Sequence, residues 1–232
     1  ATRLPGKPLL KINGLSIISH VFKKAEEANI GEVVVATEDL EIIDDVKKNG
    51  GQAILTQKKH KTGTDRIYEA LQKFDNKNID LIMNLQGDEP LMNIEDIKNL
   101  NDQMIKNKSQ LGTLASKIKD KAIYENENIV KVYTKEPLDD QNFPKAMNFS
   151  RKSLEEHKNT FHHLGIYCYK KETLKEFVLH NQSANEIKNR LEQLRALDNN
   201  IEINVALAKS SPIGVDTEED FVAIKKLMEY KS

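Results

Sequence analysis

Tryptophan is absent from this chain, and cysteine occurs once, as Cys168. A single thiol excludes an internal disulfide and a cysteine-built metal cluster. It lies in the apolar run Ile166-Tyr167-Cys168-Tyr169, so a buried thiol in a reducing compartment is expected. Neither sign of charge dominates: 35 Lys and Arg stand against 36 Asp and Glu. A chain so balanced lacks the basic excess of a general nucleic-acid binder, which leaves room only for a local basic pocket. Long apolar runs are missing too. No segment approaches the roughly 18–20 apolar residues that span a bilayer, and no signal peptide is visible. No nucleic-acid or membrane partner is therefore expected. Several reaction signatures are also missing: a metal-type Cys/His cluster, G-x-S-x-G and the Walker-type phosphate loop.

What remains is 232 residues, 38% of them apolar, enough for one large α/β domain with a core. Buried strands are predicted at residues 32–37, 53–56, 81–85, 111–115, 129–133, 165–169 and 201–207. Between them lie helical patterns. Ile17, Ile18, Val21, Phe22 and Ala25 share one helix face, as do Ile67, Ala70, Leu71 and Phe74, and then Phe221, Ile224, Leu227 and Met228. This alternation predicts a doubly wound, mostly parallel sheet with helices on both faces, and ligands at the carboxyl ends of its strands. No domain boundary is visible. The least regular stretch, residues 135–161, reads as a lid or an oligomer contact.

Four segments can carry chemistry. In Arg3-Leu4-Pro5-Gly6-Lys7-Pro8, two cations flank a Pro-Gly turn and suit a triphosphate; the plainer reading is a solvated turn. In His60-Lys61-Thr62-Gly63-Thr64-Asp65-Arg66, Thr62 or Thr64 caps a helix whose free N–H groups suit an anion or a base edge; an ordinary capped helix is the equal alternative. In Gln86-Gly87-Asp88-Glu89-Pro90, Asp88 stands just past a strand's end, where a carboxylate can hold Mg²⁺ against phosphates, and Gln86 can face the same cleft. In Gly214-Val215-Asp216-Thr217, Thr217 and Asp220 read as a capping box, which leaves Asp216 as a second metal carboxylate or a turn residue. His162 and His163 precede a predicted strand. Leu191 to Arg195 reads as helix, with Leu191 and Leu194 packing and Glu192 and Gln193 towards solvent.

Together the chain resembles the 3-deoxy-manno-octulosonate (Kdo) cytidylyltransferase family, the CMP-Kdo synthetases. The resemblance rests on Thr2 to Leu9, Val35-Ala36-Thr37, Thr62 to Arg66, Asn84 to Leu91, Phe149-Ser150-Arg151, His163 to Tyr167, Leu191 to Arg195 and Gly214 to Thr217, in that order. It implies a nucleotide-diphospho-sugar transferase fold, usually a homodimer. It also implies transfer of CMP from CTP to the anomeric hydroxyl of Kdo, with release of pyrophosphate, for lipopolysaccharide synthesis, and hence a cytoplasmic location. By the same resemblance Arg3 and Lys7 meet the phosphates, Asp88 and Asp216 hold Mg²⁺, and Thr62, Gly63 and Arg66 lie on the cytidine side. Gln86, Arg151, His163, Tyr167, Glu192 and Gln193 line the sugar pocket, with Arg151 on the sugar carboxylate. The chain departs from the family in two places. A first strand with its Pro-Ala-Arg segment is expected upstream of Ala1, and Lys152-Ser153-Leu154-Glu155-Glu156 replaces a Pro-Ile-Pro-like turn. Two rival readings are a cytidylyltransferase for sialic acid or an amino-substituted Kdo, and a non-catalytic nucleotide-binding regulator on the same fold.

Overall fold

The computed structural model describes residues 4–75, 78–153 and 158–230. After a 3-10 turn, Lys7–Leu9, come β1 (Lys11–Ile12), β2 (Leu15–Ser16), α1 (Ile17–Ala28), β3 (Val34–Thr37), α2 (Leu40–Lys48), β4 (Gln52–Leu55) and α3 (Gly63–Lys73). The chain continues through β5 (Leu81–Asn84), α4 (Ile94–Asn107), β6 (Leu111–Lys117), α5 (Lys121–Glu125), β7 (Lys131–Thr134), β8 (Ala146–Ser150) and β9 (Thr160–Lys170). It ends with α6 (Lys171–Leu179), α7 (Ala184–Asn189), α8 (Leu194–Asp198), β10 (Ile203–Leu207) and α9 (Glu218–Glu229). These elements form two compact units. The first comprises Ala1–Asp75, Gln86–Glu95 and Pro212–Ser232; the second comprises Asn76–Leu85 and Asp96–Ser211.

In the first unit, α2 connects the parallel pair β3 and β4 as a β-α-β crossover. Helix α1 starts at Ser16, whose side chain accepts from the Ser19 N–H, and its buried face carries Ile17, Ile18, Val21, Phe22 and Ala25. Ile18, Phe22 and Val46 pack with Val33, Val35 and Ala53 into one small core. A Cβ at Gly51 would stand 2.7 Å from Val46 Cγ1 and 2.8 Å from the Phe22 ring, so close packing requires the glycine there. A second core joins Ile12, Ile17, Val215 and Ile224 with Leu91 and Phe221. Residues 13–14 turn β1 into its antiparallel partner β2 with positive φ at Asn13 and Gly14, a turn that only residues tolerant of the left-handed region make cheaply.

In the second unit a six-stranded sheet runs in the order β10-β6-β9-β7-β8, and β5 also pairs with β9. The chain is α/β, and β5, β6, β7 and β10 all run the same way. The long strand β9 runs against them and pairs antiparallel with β5, β6 and β7. Its core gathers Leu100, Met104, Leu114, Leu164, Ile166 and Cys168. Burial pushes the Cys168 thiol up to about 12, as an unreactive thiol requires.

Three local readings are corrected. The stretch 135–161 is not merely irregular: it holds β8, which pairs with β7 and buries Phe149, and it leads into β9. His162 and His163 lie within β9 rather than before it. Leu191 to Gln193 form a turn ahead of the short helix α8, and Gln193 is buried rather than turned to solvent.

Candidate functional site

Lys7 heads its 3-10 turn behind Gly6, whose φ of 70° is the left-handed conformation that glycine adopts without strain. Its ammonium donates to Asp88 Oδ2 at 2.5 Å, to the Val215 carbonyl at 2.9 Å and to Asp216 Oδ1 at 3.2 Å. Two anchors hold this arrangement. The Val215 N–H donates to the Asp88 carbonyl at 2.9 Å, and the fully buried Val215 side chain sits in the core beside Ile12 and Ile17. The capping box of α9 then fixes the chain just past Asp216: Thr217 accepts from the Asp220 N–H, while Asp220 Oδ2 accepts from the N–H groups of Thr217 and Asp216.

The electrostatics are lopsided. Burial works against the Lys7 charge, but hydrogen bonds and charge from Asp88, then Asp216, outweigh it and raise its pKa. Next to this pair, Glu89 Oε2 is buried with no hydrogen-bond partner among the described residues. Burial first, then the charges of Asp88 and Asp216, lift the Glu89 carboxyl to about 7. Among the described residues the site therefore concentrates negative charge that the Lys7 ammonium offsets only in part. Two carboxylates offering hard oxygens fit Mg²⁺, which takes one or two protein carboxylates and completes its shell with water and phosphate oxygens. Among the described residues no group of three or more His, Cys, Asp or Glu side chains could hold a metal ion.

The second predicted segment belongs to the same unit. Thr62 caps α3 in a reciprocal box with Asp65. Arg66 is held by Glu38, by Thr56 Oγ1 at 2.6 Å and by the Gln57 carbonyl at 3.3 Å. A Cβ built at Gly63 would meet nothing within 4 Å among the described residues, so no packing neighbour there explains that glycine. The loop before α3 is fastened by Glu69, which accepts from the Gln57 N–H and pairs with His60 and Lys73. The Lys73 and Gln57 hydrogen bonds come first among the causes that hold the Glu69 carboxyl down to about 2.

In the second unit β9 carries His163 and Tyr167 with ring centroids 5.5 Å apart, and Phe149 of β8 meets His163 edge-on at 5.0 Å. His163 Nε2 lies 3.0 Å from Thr113 Oγ1, whose single proton is directed at the Ile166 carbonyl 2.7 Å away. With two backbone carbonyls, of Leu164 and Ile166, to receive its proton, the Thr113 oxygen accepts from Nε2–H of His163, and burial keeps the ring neutral. Burial, aided by His162, pushes its pKa down to about 3. Burial also raises the Tyr167 phenol well above its ordinary value, and the charges of Tyr169 and Glu192 add to this. Arg151 donates to the carbonyls of Asn128 at 3.2 Å and Glu127 at 3.5 Å. Its own carbonyl accepts from the fully buried Lys131 at 2.7 Å.

Of the residues singled out from sequence, Lys7, Asp88 and Asp216 meet at one point. Thr62, Gly63 and Arg66 line one helix start, and His163, Tyr167 and Glu192 share one electrostatic neighbourhood. Gln86 lies in the first unit, in the turn whose backbone leads to Asp88. Arg3 lies outside the described residues. Glu38, Glu89 and Thr113 were missed. Glu89 carried a signal, the acidic pair it forms with Asp88 before Pro90; Glu38 and Thr113 have partners that only the folded chain reveals.

A cytidylyltransferase family model matches residues 1–203. The 3-deoxy-manno-octulosonate cytidylyltransferase of Afipia carboxidovorans is 39% identical over 230 residues, covering 98% of this chain and 92% of that protein. This chain belongs to the 3-deoxy-manno-octulosonate cytidylyltransferase family. The 3-deoxy-manno-octulosonate cytidylyltransferase of Thermodesulfovibrio yellowstonii is also 39% identical, over 98% of this chain and 94% of its own. Among solved structures, a CMP:2-keto-3-deoxy-manno-octonic acid synthetase complexed with CTP matches 100% of this chain and 95% of its own, with a TM-score of 0.90 and 32% identity. A UDP-glucose pyrophosphorylase complexed with UDP-glucose matches with a TM-score of 0.72 at 12% identity, which shows the nucleotidyltransferase-like fold alone. Family membership thus covers both compact units.

Proposed function

We propose that this chain transfers CMP from CTP to the anomeric hydroxyl of Kdo, giving CMP-Kdo and pyrophosphate. The observation that carries the reading is the convergence of Asp88 and Asp216 on the Lys7 ammonium, in a chain whose family relatives act on these substrates. Transfer to a phosphorus atom depends on positioning and on charge stabilisation, and this cluster supplies both. Asp88 and Asp216 would hold Mg²⁺, which when bound polarises the α-phosphate and neutralises charge at the reacting centre. Lys7, with Arg3, neutralises phosphate oxygens. Thr62, Gly63 and Arg66 take the cytidine side; Arg66, already fixed by Glu38 and Thr56, reaches its ligand preorganised. Gln86, Arg151, His163, Tyr167, Glu192 and Gln193 take the sugar. With its proton committed to Thr113, His163 offers Nδ1 as an acceptor and so favours a sugar hydroxyl as its donor. Arg151 offers the planar fork that suits a carboxylate.

Membership of this family supports a homodimer and a role in supplying activated Kdo for lipopolysaccharide in the cytoplasm. Among the described residues no helix is long and apolar enough to cross a membrane. Light scattering that returned one 26.4 kDa chain per particle would contradict the dimer. The experiment for the activity is pyrophosphate release across a panel of nucleoside triphosphates and acidic sugars. The expected result is release with CTP and Kdo, and little with ATP, GTP or sialic acid. Equal use of all four nucleotides would remove the cytidine assignment, and preference for another acidic sugar would replace Kdo.

A further inference from the structure

Arg195 has no place in the chemistry above, yet it is one of the most completely buried side chains in the protein, 2% exposed. Its Nε and a terminal nitrogen donate to Glu186 Oε2 at 2.8 Å and Oε1 at 2.6 Å, a two-pronged contact with a carboxylate that is itself 3% exposed. Ion pairs this deep cost desolvation, and an apolar pair of similar volume often serves stability as well or better. Stability alone therefore gives a weak reason for the pair, and its surroundings give a better one.

Glu186 receives both ends of the turn that carries Glu192 and Gln193. At one end the Leu191 N–H donates to the Glu186 carbonyl at 3.2 Å; at the other, Arg195 reaches the Glu186 carboxylate. Between them the turn closes on itself, with Arg195 N–H donating to the Glu192 carbonyl at 3.0 Å and Ala196 N–H to that of Gln193 at 3.2 Å. Glu186 is fixed in turn by the Ser183 N–H and by Gln182. The other face of the Arg195 guanidinium lies 4.6 Å over the Phe177 ring. Phe177 meets Tyr169 edge-on, Tyr169 meets Tyr167, and Tyr167 meets His163, each pair of ring centroids 5.5–6.1 Å apart.

We propose that the Glu186–Arg195 pair is a positioning device for the acidic sugar. It clamps the Glu192-Gln193 turn at both ends and braces the ring row that ends at Tyr167 and His163, without touching substrate. The inference rests on the sugar-site reading above. Misplacing a binding group by about 1 Å costs up to roughly 10²-fold, so loosening the clamp acts on sugar binding rather than on CTP.

The test compares Arg195→Lys, the double variant Glu186→Gln/Arg195→Met, and Gln193→Ala, reading melting temperature, kcat and the KM for each substrate. Arg195→Lys keeps the charge and loses the fork. The double variant removes both charges, keeps an acceptor for the Ser183 N–H, and is expected to melt near the parent. Both are expected to raise the KM for Kdo by about tenfold or more, within the range that misplacement produces, and to leave the KM for CTP unchanged. Parental KM for Kdo in the stable double variant, alongside a raised KM in Gln193→Ala, would overturn the positioning role and leave the sugar site standing. An unchanged KM for Kdo in Gln193→Ala would remove the sugar-site reading and the clamp with it.

Discussion

At the scale of single residues, the cluster of Lys7, Asp88 and Asp216 makes the sharpest demands. Asp88 and Asp216 are anchored through their backbones, by the Val215 N–H on the Asp88 carbonyl and by Asp220 Oδ2 on the Asp216 N–H, while their carboxylates meet the Lys7 ammonium, so Asp→Asn should change charge and leave the fold alone. Asp88→Asn and Asp216→Asn are each expected to cut turnover by about 10² or more, the scale of losing a major electrostatic stabiliser, with melting temperature nearly unchanged. Kinetics across a Mg²⁺ titration check this; near-parental turnover in Asp216→Asn alone would reduce that residue to a turn position. His163 gives a pH signature. Its pKa falls from 6.5 to about 3 on folding, so below pH 6.5 the unfolded chain takes up a proton that the native protein refuses. Native stability contributed at this position is full above 6.5 and is lost as pH falls towards 3, at up to about 1.4 kcal/mol per pH unit for one proton. Denaturant unfolding at pH 7 and pH 5 should show His163→Gln losing less stability than the parent over that interval. A parallel loss in the two proteins would place His163 in a polar setting. Asp88 and Asp216 stood out in the sequence because local capping and strand signals left them without a structural task. The Nε2–H form of His163 did not, since it depends on Thr113, a partner 50 residues away.

At the scale of elements, what could be read was what local rules decide. Helices α1, α3 and α9 follow from apolar spacing and from capping residues at Ser16, Thr62 and Thr217. Thr62→Ala is expected to cost about 1 kcal/mol, the usual worth of such a cap, and to lower the melting temperature by about 2–4 °C in a chain of this size. Thermal unfolding measures it; an unshifted transition would mean the α3 box adds nothing. Strand β8 was hidden because Met147 and Asn148 are both exposed and a register shift between Tyr133 and Thr134 breaks the alternation. The hairpin of β1 and β2 did announce itself, through Asn13-Gly14, a signal that a search for apolar runs passes over. The antiparallel course of β9 could not be read at all: a buried strand shows the same residues whichever way it runs.

At the scale of the whole molecule, both compact units carry residues with proposed roles: Lys7, Asp88, Asp216 and the start of α3 in the first, and the β9 residues, Arg151 and the Glu192-Gln193 turn in the second. The family match runs through both, which is why motifs spread over the chain could be read as one function when no single motif sufficed. The α/β class followed from strand–helix alternation, whereas the division into two units did not, because no change of composition marks Asp75, Leu85, Glu95 or Ser211. The central claim is transfer of CMP to an acidic sugar, and phosphorus NMR of the protein incubated with CTP, Kdo and Mg²⁺ tests it most directly. The account predicts one new phosphodiester resonance, from CMP joined to the sugar, growing in step with pyrophosphate and absent when Kdo is omitted. CTP that stays intact, or that breaks down to CMP and pyrophosphate at the same rate with and without the sugar, would contradict it.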